Sequence, residues 1–375
     1  MKDSMGVIAG HEVGVPSDID DVTVDWMTEV LRTSGALDDK TRVTSIRSEP
    51  FAVGVGLLSQ LSRSSLGYDG AGVGPATVIV KFPTLIPHQR GIADAFNIYE
   101  REVKAYTEIV PRSPIRTPKI HAAMMAPDKS NCCLVMEDLS GMSRADPSGG
   151  ATWEQALNAI DALSAFHATW FSSPDLDALS ETFISFQNPI HLAALPGLHA
   201  AGWPAAKEHA ADLFTPELIS FGDSWANHLP QMLDLMSTSA TLLHGDWRTD
   251  NMFFDDDDDM VIFDFQITAV GNGAYDLAYF LSQSLERKTR AGREREMVHR
   301  YVDQLAARGV ERDVDQLMFD VRCAAAFCMM YGFASYAGYE DLPETSQRMT
   351  RQLLRRSVEA IVDLDGVSAV QQLVG

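Results

Sequence analysis

A short β-strand pattern interrupts the helical second half of this 375-residue chain. In residues 241–265 the apolar runs "TLLHGD" and "MFFDDDDDMVIFDF" flank a polar loop. Apolar runs bounded by Gly and Asp are typical of buried strands. The loop places Asn251 five residues after Asp246, and Asp264 ends the returning strand. Each of the three could be a turn or cap residue, but together at this spacing they favour a functional loop.

The rest of the chain changes character near residue 150. Before it, strand patterns at 42–82 and between 121 and 139 alternate with helical patterns at 22–33 and 94–110; after it, helical periodicity dominates. At 375 residues, two lobes are expected. We predict an N-terminal helical extension over 1–40, a β-rich small lobe over 41–139 that ends in a hinge, and a helical large lobe over 140–375.

The charge of the chain excludes several classes of partner. The net charge is −22 and the pI is about 4.7. Nucleic acids and anionic membranes are bound through basic surfaces, so neither is an expected partner. The apolar run at 324–338 is too short and too rich in Gly and Ser to favour a membrane span. Four cysteines without zinc-ligand spacing are expected to be buried and reduced, as in a cytoplasmic protein.

The polar loop has the chemistry of a phosphoryl-transfer site. A hairpin would bring Asp264 close to Asn251, and one carboxylate with one amide oxygen suits Mg²⁺. Asp246 is then free to accept a proton from a substrate hydroxyl. The Asp-x-x-x-x-Asn spacing is that of the kinase catalytic loop, and Asp264-Phe265-Gln266 stands where kinases have Asp-Phe-Gly.

The small lobe contains candidate phosphate-binding groups. Lys81 lies in the apolar strand "ATVIVKF", and Glu102 lies on the following helix, on the inward face that Ile98 and Tyr106 mark. An ammonium held by a carboxylate in this order suits nucleotide phosphates. The alternatives are an edge-strand lysine and an exposed helix pair.

Two further segments could bind the rest of a nucleotide. Gly54 and Gly56 lie in "AVGVGLL", where missing side chains would let backbone N–H groups approach phosphates, although a simple hairpin turn explains them equally well. Glu137 and Leu139 follow a buried strand at the predicted hinge, where backbone groups would face adenine.

The ordered motifs "VIVKF", "REVKAY", "LVMEDLS", "SAFHATWF", "HGDWRTDN", "VIFDFQ" and "GNGAYDLAYFL" span about residues 50–285. This set resembles the aminoglycoside phosphotransferase/choline kinase-like superfamily, and "EDL", "DFQ" and "YDLAYFL" most resemble its ecdysteroid-kinase-like (CHK-type) branch. The resemblance implies an α+β, protein-kinase-like two-lobed fold with a β-rich N-lobe and a mainly helical C-lobe. It also implies ATP and Mg²⁺ as cofactors and phosphorylation of a hydroxyl on a small molecule.

The resemblance also assigns roles to individual residues. It implies that Asp246 is the catalytic base, that Asn251 and Asp264 are Mg²⁺ ligands, and that Lys81 and Glu102 anchor phosphates. The backbone of the hinge, at Glu137 and Leu139, would contact adenine. Asp276 in "YDLAYFL" is interpreted as a structural residue that braces the catalytic loop, and His167 as a core histidine.

Arg248, two residues after Asp246, is a further candidate. We hypothesise that it neutralises charge on the transferring phosphoryl group, while pairing with the nearby aspartates is an equally good explanation. Only eleven residues separate Asp264 from Asp276, too few for a long regulatory activation loop.

The acceptor remains open at this stage. Aromatic residues in the helical half favour a bulky apolar alcohol. An aminoglycoside would require clustered carboxylates, and a hydroxyacyl-CoA would require a basic patch. A catalytically silent nucleotide-binding protein is the competing class, and the sequence leaves the oligomeric state open.

Overall fold

The computed structural model describes residues 5–8, 11–51, 58–70, 74–144, 149–255 and 259–375. The backbone forms two compact units. The first unit comprises residues 1–112, 116–142 and 262–267, and the second comprises 113–115, 143–261 and 268–375. The segment that carries Asp264 therefore belongs to the first unit, although it follows the Asp246 loop of the second unit in the chain.

The first unit is built on a five-stranded antiparallel sheet with the strand order β3-β4-β5-β7-β6, beside a separate β1-β2 hairpin. Its strands are β1 (Met5–Ile8), β2 (His11–Gly14), β3 (Val43–Phe51), β4 (Ser59–Tyr68), β5 (Thr77–Pro83), β6 (Ile120–Met125) and β7 (Cys132–Glu137). The first forty residues thus contain paired strands in addition to the predicted helix.

Helix α1 (Val24–Thr33) covers one face of this sheet. The Thr23 side chain caps it by accepting a hydrogen bond from the Trp26 N–H, and Gly35 follows its end with a φ of +69°. Val30 and Leu31 are fully buried in a core that includes Val78 and Val80 of β5. Because side chains alternate along a strand, Lys81 projects from the opposite face of the sheet.

The predicted helix over 94–110 is wrong in its bounds. Helix α2 (Pro87–Ala95) ends before Asn97, which has a left-handed φ of +52°. Helix α3 (Ile98–Lys104) begins immediately afterwards and continues as a wider turn over Ala105–Ile109. Asn tolerates the left-handed conformation better than most residues, which is why the chain can break there.

The second unit is mainly helical. Its helices are α4 (Trp153–Trp170), α5 (Leu176–Leu179), α6 (Pro189–His209), α7 (Pro216–Met236), α8 (Ala274–Gln283), α9 (Arg287–Arg290), α10 (Glu294–Ala306), α11 (Val314–Ala334), α12 (Glu344–Asp363) and α13 (Gly366–Val374). Its strands are β8 (Ser143–Arg144), β9 (Ala240–Leu243), β10 (Met252–Phe254), β11 (Met260–Ile262) and β12 (Ala269–Asn272).

The strands on either side of the aspartate run, β10 and β11, are neighbours, as the predicted hairpin requires. β9 is not part of that sheet: it pairs with β12, whereas β10 lies between β11 and β8. The loop between β9 and β10 therefore connects two different small sheets, and each sheet fixes one end of it.

Helix α11 is long and apolar enough to cross a membrane by length and composition, but 72% of the relevant window is buried inside the protein. Its buried side chains include Phe327 and Phe333, and it packs against α8 and α12. We interpret it as a core helix. The four cysteines are buried and free, as predicted.

Candidate active site

In the first unit, Lys81 lies between two carboxylates. Its Nζ donates hydrogen bonds to Oε1 of Glu102 at 2.6 Å and to Oδ1 of Asp264 at 3.0 Å. Lys81 and Glu102 are buried, and the Asp264 side chain is 23% exposed. β5 is an inner strand of the sheet, so Lys81 is not an edge-strand lysine, and Glu102 is not part of an exposed helix pair.

The electrostatics of this triad leave an excess of negative charge. Burial works against a charged Lys81, but the carboxylates of Asp264 and Glu102 outweigh it and raise the lysine pKa. Burial raises the pKa of Glu102 to about 7; Lys81 opposes this rise and the neighbouring Asp264 adds to it. Lys81 therefore supplies one positive charge for two carboxylates. A divalent cation at Asp264, the more exposed carboxylate, would relieve their repulsion, so the donor set fits a metal.

Asp264 is held in an unusual backbone conformation. Its φ is +69°, in the left-handed region that costs about 1–3 kcal/mol for a residue other than glycine. Its N–H donates to the hydroxyl of Tyr106 at 3.1 Å, and the Tyr106 ring packs edge-on against Phe265 at 5.4 Å between centroids. The sequence interpretation used Tyr106 only to mark the inward helix face and did not predict this contact.

The hinge segment after β7 is anchored by its neighbours. The Glu137 N–H donates to the Lys119 carbonyl at 2.8 Å, and the Leu139 carbonyl accepts from the Met142 N–H at 2.9 Å. Between them, the Asp138 carboxylate binds Nε of Arg63 at 2.6 Å. Neither backbone bond uses the Glu137 carbonyl or the Leu139 N–H. Gly54 and Gly56, the predicted phosphate-covering turn, lie outside the described residues.

In the second unit, the loop after β9 holds Asp246. Nδ2 of Asn251 donates to both the carbonyl of Asp246, at 3.0 Å, and its carboxylate Oδ2, at 2.8 Å. Neither bond uses the amide oxygen of Asn251. Arg248 forms an ion pair with Asp246, in which Nε lies 2.9 Å from Oδ1. Among the described residues, no group makes a hydrogen bond to this Oδ1. Arg248 also contacts the carboxylate of Asp250 at 3.2 Å.

Asp276 at the start of α8 fixes the beginning of this loop, directly after β9. Its fully buried carboxylate accepts from the N–H groups of His244 at 2.7 Å and Gly245 at 2.9 Å. Nε2 of His167 lies 3.2 Å from the same carboxylate, and its Nδ1 lies 2.6 Å from the Tyr301 hydroxyl. Asp276 therefore has the bracing position that the sequence indicates. His167 is buried as predicted, but the sequence did not predict its contact with Asp276.

The predicted site residues are therefore divided between the two units. Lys81, Glu102 and Asp264 lie together in the first unit, and Asp246 and Asn251 lie together in the second. Within the described ranges, no group of three or more His, Cys, Asp or Glu side chains could hold a metal ion.

A protein-family model matches this chain. The family model described as "Phosphotransferase enzyme family" matches residues 74–317, which is more than half of the chain. The matched range includes Lys81, Glu102, Asp246, Asn251 and Asp264. Among curated proteins, none matches the chain.

Solved structures of similar fold share little sequence with this chain. A candidate aminoglycoside phosphotransferase from Ralstonia eutropha JMP134 is 13% identical, with a TM-score of 0.55, and the match covers 91% of this chain and 98% of that one. An ethanolamine kinase from Plasmodium vivax is 12% identical, with a TM-score of 0.51 and coverage of 84% and 82%. A GDP complex of aminoglycoside 2'-phosphotransferase-IIIa is 14% identical, with a TM-score of 0.51 and coverage of 90% and 99%. These similarities concern the fold, and they confirm the predicted α+β, kinase-like two-lobed class.

Proposed function

The chain belongs to the phosphotransferase enzyme family, and from that premise we propose that it transfers the γ-phosphoryl group of ATP to a hydroxyl of a small molecule. In this reaction, the acceptor oxygen forms a bond to the γ-phosphorus while the bond from that phosphorus to the bridging oxygen breaks. ADP leaves with the electron pair of the broken bond, and the hydroxyl proton goes to the carboxylate of Asp246.

The observation that carries the proposal is the environment of Asp246. Asn251 and Arg248 hold its carboxylate, and Asp276 fixes the backbone of the two preceding residues. A general base must be oriented before the reaction, because freezing it in the transition state would cost entropy. A protein that only binds nucleotides does not need an oriented base.

Bound Mg-ATP supplies the phosphoryl group, and its metal neutralises phosphate charge. We propose that Lys81, held by Glu102, contacts phosphate oxygens and that Asp264 and the amide oxygen of Asn251 serve as metal ligands. The backbone groups of Glu137, which ends β7, and of Leu139, two residues later, are the proposed adenine contacts. Gly54 and Gly56 are proposed to cover the phosphates.

Arg248 is proposed to act at the transferred phosphoryl group. Its guanidinium already bridges Asp246 and Asp250, so it lies beside the base. A cation there would stabilise negative charge that develops on the phosphoryl oxygens.

We place the chain in the ecdysteroid-kinase-like branch on the basis of "EDL", "DFQ" and "YDLAYFL", and we propose a bulky apolar alcohol as the acceptor. The four free, buried cysteines support the proposed cytoplasmic location. An aminoglycoside or a hydroxyacyl-CoA is the alternative acceptor, and a catalytically silent nucleotide-binding protein is the alternative function.

The test is ADP release with Mg-ATP across aminoglycosides, choline, sterols, macrolides, sugars and hydroxyacyl-CoAs. Asp246→Asn should lower turnover by about 100-fold or more and leave ATP binding unchanged. Asp259→Asn, which removes an exposed carboxylate directly before β11, should retain most of the turnover. ATP binding without ADP release from any acceptor would favour the silent protein, and absence of ATP binding would refute the proposed site.

A further inference from the structure

A buried series of hydrogen bonds connects helix α10 to the loop after β9. It begins at the Tyr301 hydroxyl of α10, which lies 2.6 Å from Nδ1 of His167 on α4. Nε2 of the same imidazole lies 3.2 Å from Oδ2 of Asp276. The Asp276 carboxylate accepts from the two backbone N–H groups directly before Asp246, at 2.7 and 2.9 Å. Three hydrogen bonds in series therefore join Tyr301 to the backbone beside the proposed base.

The side chains of this series are removed from solvent. His167 and Asp276 are fully buried, and Tyr301 is 2% exposed. The Tyr301 ring meets the imidazole edge-on, with a centroid distance of 5.8 Å. In such surroundings, water does not replace a lost protein partner, so a polar atom that loses its bond stays unsatisfied. The orientation of the imidazole is therefore determined by the partners of its two nitrogens.

Those partners also determine which nitrogen bears the hydrogen. An ionised carboxylate only accepts, so Nε2 of His167 bears the hydrogen that faces Asp276. A neutral imidazole then has a lone pair on Nδ1, which accepts from the Tyr301 hydroxyl. Burial raises the pKa of Tyr301 above its ordinary value, so the phenol keeps the proton that it donates. Both neighbours favour the same tautomer and the same ring orientation.

Gly273, directly before α8, leaves room for the bond between Tyr301 and His167. Its φ of −57° is available to any residue, so its backbone conformation does not require glycine. A Cβ at this position would lie 2.5 Å from the Tyr301 hydroxyl oxygen and 2.8 Å from Nδ1 of His167. Both distances are shorter than a non-bonded contact allows. The absence of a side chain at Gly273 therefore permits this hydrogen bond.

We propose that Tyr301 is a positioning residue for phosphoryl transfer: by holding the His167 imidazole against Asp276, it fixes the backbone from which Asp246 projects. This inference rests on the proposed function, which makes Asp246 the base. Without the Tyr301 hydroxyl, Asp276 would keep its two backbone donors, but the imidazole on its other side would be free to turn. The base would then adopt more orientations, and fewer of them would be productive.

The test combines Tyr301→Phe with His167→Asn in the full chain. Phe keeps the ring of Tyr301 and removes only the hydroxyl. Asn is shorter than His, so its amide can still face Tyr301 but cannot reach Asp276. Tyr68→Phe is the matched control, because the Tyr68 hydroxyl also donates to a protein group, the Pro75 carbonyl at 2.7 Å, but lies in the first unit.

Three measurements are made. Side-chain nitrogen NMR gives the tautomer of His167 in the wild type. Hydrogen exchange of the His244 and Gly245 backbone amides, measured relative to the amides of α11, reports on the loop and needs no substrate. ADP release gives kcat and the KM for ATP with any acceptor of the panel above that is phosphorylated.

We expect the Nε2–H tautomer of His167. Tyr301→Phe should speed exchange of the two loop amides about tenfold and lower kcat about tenfold, with the KM for ATP within about twofold of the wild-type value. In the His167→Asn background, Tyr301→Phe should change neither exchange nor kcat further, because the connection to Asp276 is already broken. Tyr68→Phe should leave both at the wild-type values.

The inference is overturned if the hydrogen of His167 is on Nδ1, or if Tyr301→Phe behaves like Tyr68→Phe. It is also overturned if Tyr301→Phe leaves kcat unchanged in an active enzyme, or if its effects are as large in the His167→Asn background. Faster loop exchange in Tyr301→Phe, together with a wild type that releases no ADP, would instead refute the proposed function and leave the role of Tyr301 in holding the loop standing.

Discussion

Replacing Asp276 with Asn should separate bracing of the catalytic loop from general stability. The Asp276 carboxylate accepts from two backbone N–H groups of the loop and from Nε2 of His167, and it is fully buried. Asn has nearly the same shape, but its amide nitrogen donates and cannot accept. Whichever way the amide is oriented, at least one of the three donors therefore loses its acceptor.

The size of the effect follows from these bonds. A hydrogen bond to a charged group contributes about 1.5–3 kcal/mol, and a buried donor without a partner costs about 1–3 kcal/mol. These terms overlap, so we expect Asp276→Asn to lower the free energy of unfolding by about 2–4 kcal/mol. Displacement of Asp246 by about 1 Å should lower kcat by about 100-fold.

Asp320 provides the matched control. It is also a buried carboxylate of the second unit, and it accepts from the side chains of Asn272, Gln316 and Arg312 at 3.0, 2.8 and 3.2 Å. Asp320→Asn should cost similar stability, measured by urea unfolding, but kcat for ADP release should remain within about threefold because its donors are not in the loop. Equal losses of kcat in the two variants, or unchanged kcat in Asp276→Asn, would refute the bracing role.

Three further results are expected. Lys81→Met should lower kcat/KM for ATP by about 100-fold or more. The substitution removes the ammonium that is proposed to contact phosphate oxygens, and it leaves the two neighbouring carboxylates without their cation. Unchanged ATP kinetics would contradict the phosphate-anchoring role. Burial opposes the ionisation of Glu286, but hydrogen bonds from Arg355 and Arg356 outweigh it and lower the pKa of Glu286 to about 2. Glu286→Gln should therefore lower the free energy of unfolding at pH 7 by about 1–2 kcal/mol, a figure that allows for solvent screening. That stability is present above the ordinary carboxyl pKa and is lost as pH falls from about 5 towards 2, so urea unfolding should show the two proteins converging in acid. Gly202→Ala should cost about 1–3 kcal/mol, because a Cβ would overlap the Phe333 carbonyl oxygen; an unchanged melting temperature would contradict this packing.

The local features of the site could be predicted from the sequence. The apolar alternation of β5 predicts that Lys81 lies beside inward-facing residues, because alternate strand residues point to the same side. The helical spacing of Ile98, Glu102 and Tyr106 predicts an inward carboxylate in the same way. These patterns depend only on residues a few positions apart, and the contact between Lys81 and Glu102 agrees with them.

Contacts between remote segments could not be predicted in this way. The pattern around residues 241–265 indicates strands, but it does not indicate that β9 pairs with β12 while β10 pairs with β8. A strand exposes the same backbone donors and acceptors to any partner, so its partner is chosen by the packing of the whole unit. The break at Asn97 is of the same kind, since Asn permits a left-handed turn but does not require one.

The sequence by itself determined the chemical groups and their local order: a carboxylate and an amide five residues apart, a lysine on a buried strand, and a second carboxylate on a later helix. Local periodicity and chain spacing are enough to specify these. Only the tertiary structure decided that Asp264 returns to the first unit beside Lys81, and that Asp276 binds the loop of Asp246. Those relations join residues about 30 to 180 positions apart, and they exist only when the burial of apolar surface brings the segments together.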